Sequence, residues 1–186
     1  MKSLKYVLLA TGVLATGAAT AAAEAPGTPT FPFARFLGDW TLQDDRFLQV
    51  WDGKTLDTLT IPGHFTHCAP VNTHYSVLCA VDAGGGLNGH ILWVIGEDRR
   101  SVRHLSHFGD RRVGVGQGVL EENGDLTLTI RFEDEPAGTY RRYRYRWLDV
   151  DRYEMLSVQF DSDERETGNW YGGTFVRVEG GTAQER

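Results

Sequence analysis

The chain has 186 residues, 41% of them hydrophobic, with a formal net charge of −6 and two cysteines. That is one domain's length, with enough apolar residues to bury a core. An acidic balance disfavours nucleic acid and anionic membrane surfaces, since both are bound by neutralising phosphates with Lys and Arg.

Residues 1–23 read as a secretory signal peptide. Lys2 and Lys5 form its positive start, Tyr6 to Ala15 its apolar segment, and Ala21-Ala22-Ala23 the small residues before a cleavage that makes Glu24 the first residue. The apolar run is shorter than the ~20 residues a membrane helix needs, and no Cys follows it to carry a lipid. Cleavage takes away two lysines and no acid, moving the charge from −6 to −8. The expected location is periplasmic or secreted, with no membrane insertion. Residues 24–32, which hold Pro26, Pro29 and Pro32, read as a flexible lead-in, residues 33–179 as a single folded domain, and residues 180–186 as a disordered tail.

A single helical turn is expected at Phe33 to Leu37. After it the chain alternates with period two and breaks at turn residues, the mark of strands. Phe47 to Trp51 stops at Asp52-Gly53, a hairpin signal. Lys54 to Ile61 stops at Pro62-Gly63, and Tyr75 to Val81 runs into a loop from Asp82 to Gly86. Ile91 to Ile95 is continuously apolar and reads as buried on both faces. Val102 to Phe108 and Val113 to Leu120 follow, the latter turning at Asn123-Gly124. Leu126 to Phe132 alternates most cleanly, with Leu126, Leu128, Ile130 and Phe132 on its apolar face. Tyr140 to Leu148, Tyr153 to Phe160 and Trp170 to Val178 complete about ten strands. Their short connections predict an all-β, up-and-down antiparallel barrel, which removes the exposed edges of an open sheet.

Cys68 and Cys79 are expected to form a disulfide between neighbouring strands joined by the loop around Pro70-Val71-Asn72. Two buried free thiols are the alternative. All six histidines (His64, His67, His74, His90, His104, His107) fall within residues 64–107. Positions i and i+3 of a strand point to opposite faces, so each His-x-x-His pair offers one ring to an interior site. Scattered loop and surface histidines are the plain reading. Zinc or copper held across neighbouring strands, through His64 or His67 with His104 or His107, is the functional one.

In Tyr140 to Trp147, alternation puts Arg142, Arg144 and Arg146 on one face and Arg141, Tyr143, Tyr145 and Trp147 on the other. The first face reads as exterior arginines paired with acids such as Glu133 or Glu154. The second reads as interior, with Arg141 and Tyr143 suited to gripping a carboxylate, because the planar guanidinium fork can hold both of its oxygens. Gly-x-Ser-x-Gly, His-Glu-x-x-His and phosphate-loop motifs are missing, and Gly114, Gly116 and Gly118 read as a sharply coiled strand.

Phe36-Leu37-Gly38-Asp39-Trp40, Gly116-Gln117-Gly118-Val119-Leu120 running into Asn123-Gly124-Asp125-Leu126, Tyr143-Arg144-Tyr145-Arg146-Trp147, and Phe175-Val176-Arg177 together resemble the calycin superfamily of lipocalin-like barrels. More closely, they resemble the exported bacterial lipocalin-like proteins of the DUF1579 type. The resemblance implies that Gly38 and Trp40 open the barrel, with Trp40 closing its floor beneath Arg177. A related group of barrels holds haem through a late histidine, and Trp170 to Val178 contains none.

The expected function is binding of a small apolar or amphipathic ligand inside the barrel of a monomer or dimer. Trp93, His104, Arg141, Tyr143, Tyr145 and Trp147 are the candidate lining. No cofactor, catalytic residue or metal is assigned. Two alternatives stand beside it: a small-barrel enzyme using an interior His such as His104 as acid–base group, and metal or haem binding through the histidines of residues 64–107.

Overall fold

The computed structural model describes residues 31–72, 75–84 and 87–178. The signal peptide, residues 24–30 of the lead-in, His74 and the 180–186 tail lie outside the described residues. A 3₁₀ turn at Ala34–Phe36 precedes twelve strands: β1 Gly38–Leu42, β2 Arg46–Val50, β3 Asp57–Thr60, β4 Phe65–Asn72, β5 Ser76–Asp82, β6 Asn88–Ile95, β7 Ser101–Phe108, β8 Arg112–Leu120, β9 Leu126–Phe132, β10 Tyr140–Trp147, β11 Arg152–Phe160 and β12 Glu166–Arg177. From β4 to β12 each strand pairs antiparallel with the next. β1 pairs with β4 on one side and β12 on the other, so β1 and β4–β12 close a ten-stranded barrel.

β2 and β3 are an extension of that ring. Gly38 lies opposite Cys68 and Arg46 opposite Thr60, one shared register. Residues 38–50 and 57–72 are therefore one long hairpin, broken midway by a second 3₁₀ turn, Gln43–Asp45, and by the bend at residues 61–64. Two bonds bridge the break: Ile61 N–H donates to the Asp45 carbonyl (2.8 Å) and Thr41 Oγ1 to the His64 carbonyl (2.7 Å). The hairpin tip, with Trp51, reaches over one end of the barrel, here called the mouth. The 3₁₀ turn at Ala34–Phe36 plugs the other end, the floor.

β1 is a strand the sequence reading does not name, and β12 begins at Glu166 and not Trp170. Three further segments differ from the sequence expectation for local reasons. β3 begins at Asp57 and not Lys54, because the Asp52 carboxylate accepts the N–H groups of Lys54 and Thr55 and the Thr55 hydroxyl, holding that stretch in a turn. β4 runs through Pro70-Val71-Asn72, which the sequence suggests as a loop. It meets β1 only at residues 66–68, so Pro70 stands where that side of the strand has no partner to lose. β6 is buried on one face only: Trp93 and Ile95 face inward, while Leu92 and Val94 are half-exposed on the outer wall. The Cys68–Cys79 disulfide joins directly opposed residues of β4 and β5, with Cα atoms 4.0 Å apart.

Gly116 and Gly118 face inward on β8, and a Cβ at either would lie 2.2 and 1.8 Å from the carbonyl oxygens of Thr129 and Thr127. Only glycine lets β8 coil this closely onto β9, and the Ile130 side chain lies against the space at Gly116.

Candidate functional site

The interior has two poles of different chemistry. At the floor, Trp40 is fully buried, and its indole N–H donates to the Phe36 carbonyl (2.9 Å). Phe36 of the 3₁₀ turn packs against Trp93 (ring centroids 5.1 Å), Trp147 (5.0 Å) and Tyr153 (5.7 Å). Trp93 also meets Tyr145 at 5.2 Å. Of the expected lining, Trp93, Tyr145 and Trp147 thus sit ring on ring in a packed floor.

The guanidinium of Arg177 lies 4.2 Å from the centre of the Trp40 ring and bonds the carbonyls of Leu37 (2.7 Å) and Arg35 (3.1 Å) and the Asp151 carboxylate (2.9 Å). Gly38, at φ +103°, makes room for it, since a Cβ there would sit 3.0 Å from Arg177 Nη1. One arginine therefore latches the 3₁₀ turn to the last strand.

At the mouth, Arg141 of β10 is fully buried, an unusual place for a permanent charge. Its Nε donates to Glu135 at 2.5 Å, and its guanidinium lies against the neighbouring rings of Trp51 (4.8 Å) and Tyr171 (4.6 Å). Among the described residues, Nη1 and Nη2 are buried with no hydrogen-bond partner. Glu135 also accepts from Arg112 (2.8 Å) and Gln159 (2.9 Å). Burial alone would raise its pKa, but these three donors outweigh that and hold it below the usual carboxylate range. Burial likewise opposes the charge of Arg112, and Tyr171, Glu135 and Tyr143 more than offset it. Ser157 lies opposite Tyr143 on one side and Tyr171 on the other. The small residue between them lets the two hydroxyls meet in a hydrogen bond.

His104 stands midway, on the register row that runs Trp93–His104–Gly116–Ile130–Arg141 across five strands. The Trp93 indole can only donate, and it donates to His104 Nδ1 (3.0 Å). The neutral ring therefore carries its proton on Nε2, which is buried and unpartnered, as are Ser106 Oγ and Ser157 Oγ. Burial lowers the His104 pKa from 6.5 to about 4. The unfolded chain therefore takes up the proton first as pH falls, so this stability is complete above pH 6.5 and lost toward pH 4. Moving from pH 8 to pH 5 is expected to cost about 2 kcal/mol through this residue. Urea unfolding of the wild type and His104→Gln at both pH values checks it, and equal pH dependence in the two would refute it.

The five described histidines divide between interior and exterior. His64 and His104 are buried, while His67, His90 and His107 are exposed and share one outer row. Among the described residues no group of three or more His, Cys, Asp or Glu could hold a metal ion. Five mouth residues carry little signal in the sequence: Arg112, Glu135, Gln159, Tyr171 and Trp51. Parity offers a hint for Arg112 and Tyr171, which share the inward phase of Gly114 and Phe175. Glu135 sits in the β9–β10 turn, where no periodicity points to the interior.

The fold and its interior define a closed antiparallel β-barrel with an aromatic floor and a buried arginine–carboxylate cluster under its mouth. Among solved structures, the barrel is similar to the S-type phycobiliprotein lyase CPES from Guillardia theta, with a TM-score of 0.51 at 14% identity over 79% of this chain and 90% of that one. It is also similar to a redesigned β-barrel (TM-score 0.37, 11% identity, 82% of this chain and 100% of that one) and to EF1p2_mFAP2b bound to DFHBI (0.35, 10%, 78% and 95%). No protein-family model matches the sequence, and no curated protein matches it. The likeness to the lyase shows the β-barrel fold.

Proposed function

We propose that this barrel binds a small amphipathic molecule with an anionic head, held under the mouth by Arg141. The observation that carries the reading is the pair of buried, unpartnered Arg141 Nη atoms. A buried guanidinium with idle N–H groups is costly unless an acceptor meets them. A carboxylate or similar anion suits the planar fork. His104 Nε2–H and the Ser106 and Ser157 hydroxyls supply further polar positions, and Tyr143 and Tyr171 supply apolar ring surface. The chain is read as an exported protein of the lipocalin-like, DUF1579-type kind, with residues 1–23 as its leader. The disulfide suits an oxidising compartment, and no described helix is long and apolar enough to cross a membrane.

Dansylaminoundecanoate and its methyl ester make a direct test by fluorescence titration. The acid is expected to bind at least about tenfold more tightly than the ester, and Arg141→Gln to remove that difference, the loss of one charge-assisted contact. Equal binding of acid and ester, or no binding of either, would overturn the proposal.

A further inference from the structure

The outer wall of the barrel carries a second, unrelated feature. Outward positions of β7–β10 are Ser101, Arg103, Leu105 and His107; Val113, Val115, Gln117 and Val119; Thr127, Thr129 and Arg131; and Tyr140, Arg142, Arg144 and Arg146. Five arginines and no acid face outward from four consecutive strands of a chain whose net charge is −6. Arg146 pairs with Glu154 (3.0 Å) and Arg142 with Glu164 (3.8 Å). Arg103, Arg131 and Arg144 make no ion pair among the described residues.

Beside the arginines runs an apolar row. Leu78, Leu92, Leu105 and Val115 are directly opposed from strand to strand across β5–β8, and the next residue in the row is Arg131 on β9. Leu78 is 37% exposed, Leu105 48% and Val115 58%. At the usual strand spacing the row is about 19 Å long from Leu78 to Arg131. Among the described residues nothing covers it.

We infer that this wall is a docking surface for an anionic lipid bilayer, the aliphatic row lying against the acyl boundary and the flanking arginines on the headgroups. Charge complementarity selects this occupant. A soluble polyanion would use the arginines and leave the leucines exposed. A second copy of the chain, apposing the same wall, would bring arginine against arginine with no acid between. The acidity of the whole chain is no obstacle, because headgroups within a Debye length feel the local charge and not the total.

Flotation with vesicles tests this, using the chain from Glu24 so that the apolar leader takes no part. Vesicles of phosphatidylcholine with about 30 mol% phosphatidylglycerol are expected to carry the protein, and pure phosphatidylcholine vesicles to leave it behind. Arg103→Glu/Arg131→Glu/Arg144→Glu is expected to weaken partitioning at least about a hundredfold, and Leu105→Asp/Val115→Asp about tenfold or more. All five side chains are on the exterior, and a melting curve on each variant confirms that the barrel is intact. Equal flotation on both vesicles, no flotation on either, or anionic-vesicle binding that either variant leaves unchanged would overturn the inference. Full competition by a soluble sulfated polysaccharide with no effect of Leu105→Asp/Val115→Asp would assign the wall to a soluble polyanion instead.

Discussion

Replacing Glu135 with leucine is expected to destabilise the barrel by about 3–5 kcal/mol, the cost of breaking a buried pair by removing one partner. Glu135 is the common acceptor for Arg141, Arg112 and Gln159, and only 7% of its side chain is exposed. Without it Arg141 keeps its charge, since a guanidinium does not deprotonate at accessible pH, and has no acid left to offset burial. Arg112 retains Asp134 at 2.9 Å and suffers less. Removing Arg141 alone should cost less than removing Glu135, because Glu135 still accepts from Arg112 and Gln159. The double variant Glu135→Leu/Arg141→Met should be more stable than Glu135→Leu, because it deletes the stranded charge together with its partner. Urea unfolding of the three variants measures this. A loss below about 1 kcal/mol for Glu135→Leu would mean that water satisfies Arg141, and the reason for placing a ligand there would disappear with it.

Trp40→Ala is expected to cost at least about 3–5 kcal/mol, the range for deleting a fully buried large aromatic. Its ring packs against Tyr153 (centroids 4.9 Å) and Trp147 (5.7 Å), its N–H ties down Phe36, and Arg177 lies over its face. The cation–π contact contributes about 1–2 kcal/mol of that when partly desolvated. Arg177→Ala should therefore be milder in its ring contact, yet it also frees the carbonyls of Leu37 and Arg35, loosening the 3₁₀ turn. Denaturant midpoints for both single variants and the double variant give the coupling. Strictly additive losses would show that Trp40 and Arg177 do not act as one latch.

Much of this architecture is written locally. Strand positions, turn positions and the inward phase of β7, β9 and β10 follow from side chains alternating every two residues, so Leu126, Tyr143 and Arg141 point inward as their spacing demands. The separation of His104 from His107 on β7 follows from the same arithmetic, while His64 stands in the bend before β4. Composition misleads where a local contact overrides it. The apolar run Ile91 to Ile95 suggests burial on both faces, but its outer residues join a wall of other exposed aliphatics. Pro70 suggests a loop, but it falls beside a missing strand, where its lack of an N–H costs nothing.

The mouth cluster is legible only in part, for a different reason. Arg141 and Tyr143 stand out in an unusual strand, while Glu135, which holds Arg141 in place, comes from a turn whose path depends on the whole barrel. Trp51 reaches Arg141 because a broken hairpin overhangs the mouth, and that break is a property of two segments about twenty residues apart. The expectation that an acidic chain avoids anionic surfaces rests on a sum over all residues. The fold distributes that sum unevenly, leaving the acids off the outward face of β7–β10.

By itself, then, the sequence determined the fold class, the turns and which face of most strands looks inward, because these depend on contacts and periodicities a few residues long. Tertiary structure alone decided which residues stand opposite one another around the ring. That registration joins Trp93 to His104, sets Tyr143 beside Tyr171 across Ser157, lines up Leu78, Leu92, Leu105 and Val115, and places a turn carboxylate on a buried arginine. Such partners are set by closure of ten strands on themselves, a geometric condition that no short segment carries.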